Sequence, residues 1–256
     1  AHVHLTLAGN PDSNARATLL AGFTTVADLG SAGGAGVRLR DAIAQGRVSG
    51  PRIIAAGSWI GAKGGICEFG GATVDGAVEA KARALADLEA GADLLKVCVT
   101  GWPQDAVAFP DSVELKPGPL AAVMGVAAAA HRPVFAHAIG KAGALLAASQ
   151  GVRALAHTPI VDSAGAFALK QSGVRVISTL ASLGPRPGGE EVRRSFRLLY
   201  QAWVPIVMGT DAGVIPHGSN AQELVALTEA GLSPADALRA ATVAAAGLLD
   251  LWDVGE

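Results

Sequence analysis

Glu89-Ala90-Gly91-Ala92-Asp93-Leu94-Leu95-Lys96-Val97-Cys98-Val99 reads as a helix end, a glycine, and then a short apolar run with strand character. A glycine just past the last helical residue adopts the left-handed conformation that stops a helix, which places the break at Gly91. Ala21-Gly22-Phe23-Thr24-Thr25-Val26 repeats the phrase earlier in the chain. Working outward, eight strands are predicted, at residues 2–6, 24–29, 52–56, 94–99, 134–137, 154–157, 175–179 and 205–209. Helices are predicted between them at 13–21, 36–45, 75–90, 119–130, 140–149, 163–172 and 190–202, with two more at 220–230 and 235–249. Alternation of this kind predicts repeated βα units around a parallel sheet. Eight such units in about 250 residues predict an α/β protein of the (β/α)8 TIM-barrel class. The competing architecture is a doubly wound open sheet. It requires a glycine-rich phosphate loop after its first strand, and residues 6–12 do not supply one.

The chain has 256 residues and a mass of 25.5 kDa, the size of one large α/β domain, so residues 1–256 are read as one unit. Half of the residues are apolar and 16% are charged, which implies a large interior. The net charge of −2 and the absence of a basic stripe argue against nucleic acid or an anionic membrane as a main partner. No apolar stretch has the length of a membrane span, which takes roughly 18 residues. Cys67 and Cys98 do not form a CxxC pair, and Cys98 lies inside a predicted strand. The expectation is two free thiols in a reducing, cytoplasmic setting. The chain opens directly on Ala1-His2-Val3-His4-Leu5, so upstream sequence is expected to be missing, and export stays open.

Several polar residues stand at the ends of the predicted strands. His2 and His4 are two apart on the first, so they project to the same side. Lys96 lies in the fourth, His137 and His157 close the fifth and sixth, and Asp211 follows the eighth in Gly209-Thr210-Asp211-Ala212-Gly213. In a barrel, such positions converge on one mouth. Neutral imidazole and carboxylate suit zinc and similar divalent ions, so His2, His4, His137, His157 and Asp211 are candidate ligands. Any one of these histidines taken alone reads as a hydrogen-bonded core side chain; the set reads as a metal site. Lys96 has two readings. An unpaired buried ammonium is costly, and burial favours the neutral amine, which carbon dioxide converts to a carbamate that acts as a carboxylate-like ligand. Alternatively, Lys96 pairs with an acidic neighbour such as Asp211. His217 lies just past Asp211 and is a candidate substrate contact or a surface-loop histidine. Residues 184–189 are a weak phosphate-type run, in which Arg186 is a candidate for holding a substrate carboxylate. The glycine-rich loop 59–74 and the loop 101–118 are candidate lids at the mouth.

These residues resemble the amidohydrolase superfamily, in particular its imidazolonepropionase-like branch with prolidase-like and carboxypeptidase-like enzymes. The likeness runs through His2-Val3-His4-Leu5, Ala21–Val26, Gly50-Pro51-Arg52-Ile53, Ala136-His137-Ala138, Gly209–Gly213, His217-Gly218 and Ala230-Gly231-Leu232-Ser233-Pro234-Ala235. The resemblance implies paired histidines at His2 and His4, a carboxylated lysine at Lys96, further ligands at His137 and His157, and a catalytic aspartate at Asp211. It also implies a small β-sandwich domain built from both chain ends, so the sequence is expected to be a barrel cut from a longer protein. Two positions depart from the family pattern. The segment after the third strand, Gly64-Gly65-Ile66-Cys67-Glu68, has no histidine, and Ala138-Ile139-Gly140 has no tyrosine.

The expected function is hydrolysis of an amide or other C–N bond, of dipeptide or N-acyl amino acid type. It would proceed by metal-activated hydroxide at one or two divalent ions, zinc first among them, with Asp211 as general acid and base. Opening of a cyclic, imidazolone-like amide or of a lactone on the same site is the alternative. A barrel that binds a small ligand without catalysis is the rival from another class. The partner is a small-molecule substrate, and a homo-oligomer stays open.

Overall fold

The computed structural model describes residues 1–184 and 186–254; within the run 184–189, Pro185 lies outside the described residues. The strands are β1 (Thr25–Asp28), β2 (Arg52–Ala62), β3 (Thr73–Val74), β4 (Leu94–Cys98), β5 (Val134–His137), β6 (Ala154–Ala156), β7 (Arg175–Ser178) and β8 (Ile206–Met208). They form one parallel sheet in the order β1-β2-β4-β5-β6-β7-β8, with β3 paired to β2. Helices connect successive strands, except that a loop joins β2 to β3. The result is an α/β fold with a curled parallel sheet, consistent with a TIM-like barrel.

β4 shows why these runs read as continuously apolar. Its outward residues Leu95 and Val97 pack with Val134, Ala136, Leu155 and the helix residues Leu120 and Val123. Its inward residue Leu94 packs with Phe135, Ala154, Ala156, Ile177 and Val207. Both faces are buried, so alternation between apolar and polar disappears. The parity of the strand then sends Lys96 and Cys98 inward with Leu94.

The predicted strand at residues 2–6 is not a strand in the structure. Only Val3 pairs, bridging Asp28 on one side and Ala212 on the other. The backbone groups around it have other partners. The carbonyl of His2 accepts from the amides of Thr210 and Asp211, at 3.0 and 2.9 Å. The amide of Leu5 donates to a carboxylate oxygen of Asp28 at 3.2 Å, and the chain turns as Leu7 N–H bonds the carbonyl of His4. Val3 therefore stands between the β1 edge and the segment after β8.

β2 is longer than predicted and is bulged. Its register with β4 shifts between Ala56 and Trp59. Asp87, buried on the helix Ala77–Glu89, accepts hydrogen bonds from the Ser58 amide at 3.1 Å and the Ser58 hydroxyl at 2.6 Å, and from Arg83 at 2.6 Å. The bulge brings Trp59 into register with Lys96, on the same face of the sheet. The second long tail helix is broken at Thr242, giving Pro234–Ala241 and Val243–Leu248.

Cys67 and Cys98 are joined in a disulfide, which corrects the expectation of two free thiols. With it goes the argument for a reducing compartment. No helix among the described residues is long and apolar enough to cross a membrane.

Candidate metal centre

Six side chains named from the sequence meet where the strands end. Nε2 of His2 and Nε2 of His4 lie 3.1 Å apart, and they lie 3.4 and 3.3 Å from the same oxygen of Asp211. One donor atom from each of these three residues falls within 4.8 Å of the others. The ring of His157 is 5.0 Å from that of His2 and 4.5 Å from that of His137, centroid to centroid. His4, Lys96, His137, His157 and Asp211 line one cavity of about 260 Å³, walled by Leu7, Trp59, Ile66, Phe69, Trp102, Val214 and the cystine.

The chain is built locally to allow this approach. A Cβ on Gly209 would come within 2.7 Å of the His2 Cβ, and one on Gly213 within 2.7 Å of the His4 carbonyl oxygen. The glycines that bracket Thr210-Asp211-Ala212 thus let two distant segments lie against each other. Asp211 and His157 both have positive φ, 56° and 71°, a conformation that non-glycine residues rarely hold without a surrounding structure that imposes it.

Hydrogen bonds orient the rings. A carbonyl only accepts, so His4 donates from Nδ1 to Gly30 at 3.4 Å, and His137 donates from Nε2 to Gly101 at 3.2 Å. That leaves the lone pairs of His4 Nε2 and His137 Nδ1 for a ligand. His157 Nδ1 is held by the Thr179 hydroxyl at 2.9 Å, and Nδ1 of His2 has no hydrogen-bond partner among the described residues. Burial, reinforced by the charge of Lys96, pushes His2 well below the usual imidazole range and His137 down to about 4. Burial and the neighbouring His137 do the same to His157. These three rings are therefore neutral and able to donate lone pairs. Burial raises Asp211, but His4 beside it and the nearby Lys96 outweigh it, so its carboxyl is held below the usual range.

Lys96 is 2% exposed, and its Nζ has no hydrogen-bond partner among the described residues. The reading in which it pairs directly with an acid is not what the structure places there. Burial pushes its amine down to about 7, against the pull of the Asp211 charge. Neutral imidazoles, a permanent carboxylate and an orphaned amine form a donor set that fits a divalent cation.

His217 and Arg186 lie outside the cavity lining. His217 donates from Nε2 to the His4 carbonyl at 3.3 Å and takes the Thr18 hydroxyl on Nδ1 at 3.2 Å, so it braces the backbone of a candidate ligand. Arg186 is exposed at the rim, with its guanidinium 5.2 Å from the centre of the Trp102 ring and its Nε donating to the Ser182 carbonyl at 3.2 Å. The sequence reading missed two residues that shape the site. Asp28 is fully buried, is pushed up to about 6 by burial, and holds the turn after His4 through Leu5. Its signal was available, an acid inside the apolar run of the second predicted strand. Trp59 packs against His4 at a tilt, with centroids 5.4 Å apart, and nothing local announces the bulge that aims it there.

A model of the amidohydrolase family matches residues 8–256. A search of curated protein sequences gave no match. Among solved structures, this chain is similar to a Xaa-Pro dipeptidase with bound methionine, at 27% identity and a TM-score of 0.90, covering 100% of this chain and 75% of that one. It is similar to a prolidase complexed with N-methylphosphonate-L-proline, at 26% identity and a TM-score of 0.82, covering 100% and 74%. It is also similar to a putative prolidase from Bifidobacterium longum, at 27% identity and a TM-score of 0.84, covering 100% and 70%.

Proposed function

The chain belongs to the amidohydrolase family and is a metal-dependent hydrolase acting on C–N bonds, and from that premise we propose that it cleaves the amide of a dipeptide or N-acyl amino acid. The observation that carries this reading is the convergence of His4, His137, His157, Asp211 and an orphaned Lys96 on one apolar-walled cavity, with His2 packed against His4 and Asp211 beside it. Likeness to a dipeptidase and a prolidase supports the substrate class, as does a wall of aromatic and aliphatic side chains.

His2, His4, His137, His157 and Asp211 would hold one or two divalent ions, zinc by preference. Lys96 would join them as a carbamate, formed when its neutral amine bonds the carbon of carbon dioxide and releases one proton. A divalent ion in such a site polarises a carbonyl and makes water a nucleophile at neutral pH. Asp211, whose carboxylate stays ionised, takes the proton from water and delivers it to the departing amine nitrogen. Arg186, stacked on Trp102 at the rim, is placed to meet the substrate carboxylate, and His217 keeps His4 in position from behind. The curled parallel sheet is read as part of a (β/α)8 barrel.

The test is hydrolysis of a panel of dipeptides, N-acyl amino acids, lactones and cyclic ureas, with metal counted per chain. Cleavage of the linear amides with one or two bound ions is expected. Cleavage confined to lactones or cyclic substrates would transfer the site to the ring-opening alternative.

A further inference from the structure

We propose that the Cys67–Cys98 cystine determines which substrates the cavity accepts, by holding Ile66 and Phe69 as a wall against a bulky apolar side chain, and that its reduction relaxes that preference. The inference rests on reading the site as an amide hydrolase and adds its specificity and a control on it.

Cys98 ends β4 two residues past Lys96, so both point into the same cavity. It stands in register with His137 on one side and with Gly61 on the other. Cys67 lies in the loop between β2 and β3, and the bond therefore ties that loop to the strand that carries Lys96. The junction is tight. A Cβ at Gly61 would sit 3.1 Å from the Cys67 Cβ and 3.5 Å from the Cys98 Cβ, so glycine at 61 leaves the room that the cystine occupies.

The same loop supplies Ile66 and Phe69 to the cavity wall. Phe69 is 61% exposed and meets Trp59 at a tilt, 5.1 Å between centroids, so its place depends on the loop more than on packing around it. Other ties to the loop are the Ile66 amide on Glu114 at 2.9 Å and the Lys63 amide on the Val74 carbonyl at 3.3 Å. These survive reduction, so the loop loosens without detaching. The remaining wall is Leu7, Trp59, Trp102 and Val214, and no charged side chain beyond the candidate ligands lines the cavity among the described residues. Such a wall selects an apolar group.

In the reductive step the Sγ–Sγ bond breaks, accepting two electrons and two protons to give two thiols. A dithiol supplies them and leaves as its own disulfide, or a phosphine with water supplies them and leaves as its oxide.

The experiment uses the full chain loaded with zinc. Alkylation of the denatured protein should add nothing before reduction and two groups after it; two groups before reduction would overturn the proposal. The ratio of kcat/KM for N-acetylphenylalanine over N-acetylglycine should then fall about tenfold or more on reduction with a phosphine, removed before assay, while glycine-substrate turnover persists. An unchanged ratio would sink the idea. Phe69→Ala in the oxidised protein should lose the same preference, and Cys67→Ser should match the reduced ratio and ignore the reductant; retention of the preference in both counts against the cystine. If neither redox form cleaves any amide, the proposed function fails by itself. The wall is then judged by tryptophan-fluorescence titration with N-acetylphenylalanine, where weaker binding after reduction supports it and equal binding overturns it.

Discussion

A lysine sealed among apolar strands avoids an unpaired charge either by finding an anion or by giving up its proton. Lys96 has no hydrogen-bonded anion among the described residues, and its amine is pushed down to about 7. The sign of the pH effect follows. Between about 7 and 10.5 the unfolded chain keeps the lysine protonated while the folded chain does not, so the unfolded state binds more protons and stability rises with pH across that window. Below about 7 both states are protonated and the folded state bears the full cost of the buried charge. Chelated protein is therefore expected to melt higher at pH 9 than at pH 7, and Lys96→Met to lose most of that rise. Equal slopes in a thermal scan of the two proteins would assign the effect elsewhere. Asp211 allows a cleaner test of catalysis. Asparagine tolerates positive φ as aspartate does, so Asp211→Asn keeps the backbone and an oxygen toward the ion while removing the carboxylate that accepts the proton. Turnover should drop by about 10²–10⁴-fold with the melting point little changed. Near-normal kcat would remove Asp211 from the role.

The bulge of β2 is the element on which the cavity wall depends. Asp87 satisfies both polar groups of Ser58 from a neighbouring helix and is itself bound by Arg83. Asp87→Ala would strand the Ser58 amide and hydroxyl in a buried place, at a cost of about 2–4 kcal/mol in a denaturant titration. A loss below measurement error would show that water replaces the carboxylate. This arrangement also marks the limit of sequence reading. The strands β4 to β8 were legible because each is a short apolar run following a local glycine or turn, and their parity then placed Lys96, His137 and the His157 neighbourhood. The candidate ligands were legible because strand-end histidines are local anomalies in apolar text. Trp59 was not, since its orientation depends on an acid 28 residues further on. The cystine was missed because a strand-embedded Cys98 looks the same whether or not a loop returns with Cys67. The segment at residues 2–6 has strand composition, yet it pairs only around Val3, with the β1 backbone on one side and Ala212 on the other, before Asp28 takes the Leu5 amide and the chain turns, which composition does not encode.

Across the whole molecule the candidate ligands come from residues 2, 4, 96, 137, 157 and 211, so whatever they hold ties together chain segments far apart in sequence. Val3 bridges both Asp28 and Ala212, and His2 and His4 flank it, so an ion on those two histidines would clamp the junction between β1 and the segment after β8. A ligand bound by the folded state alone stabilises it by about 4 kcal/mol at a thousandfold excess over Kd. For a chain of this size that corresponds to roughly 8–16 °C in Tm. Treatment with a chelator is expected to lower Tm by that order and zinc to restore it. The clamp makes a sharper demand than a general loss of stability. In chelated protein, amide exchange should quicken first at residues 2–5 and 209–213, while β4 and β5, buried on both faces by aliphatic side chains, stay protected. Uniform acceleration over the whole sheet would mean that the ion supports the fold globally, and an unchanged Tm after complete metal removal would mean that these six side chains hold no ion that the fold depends on.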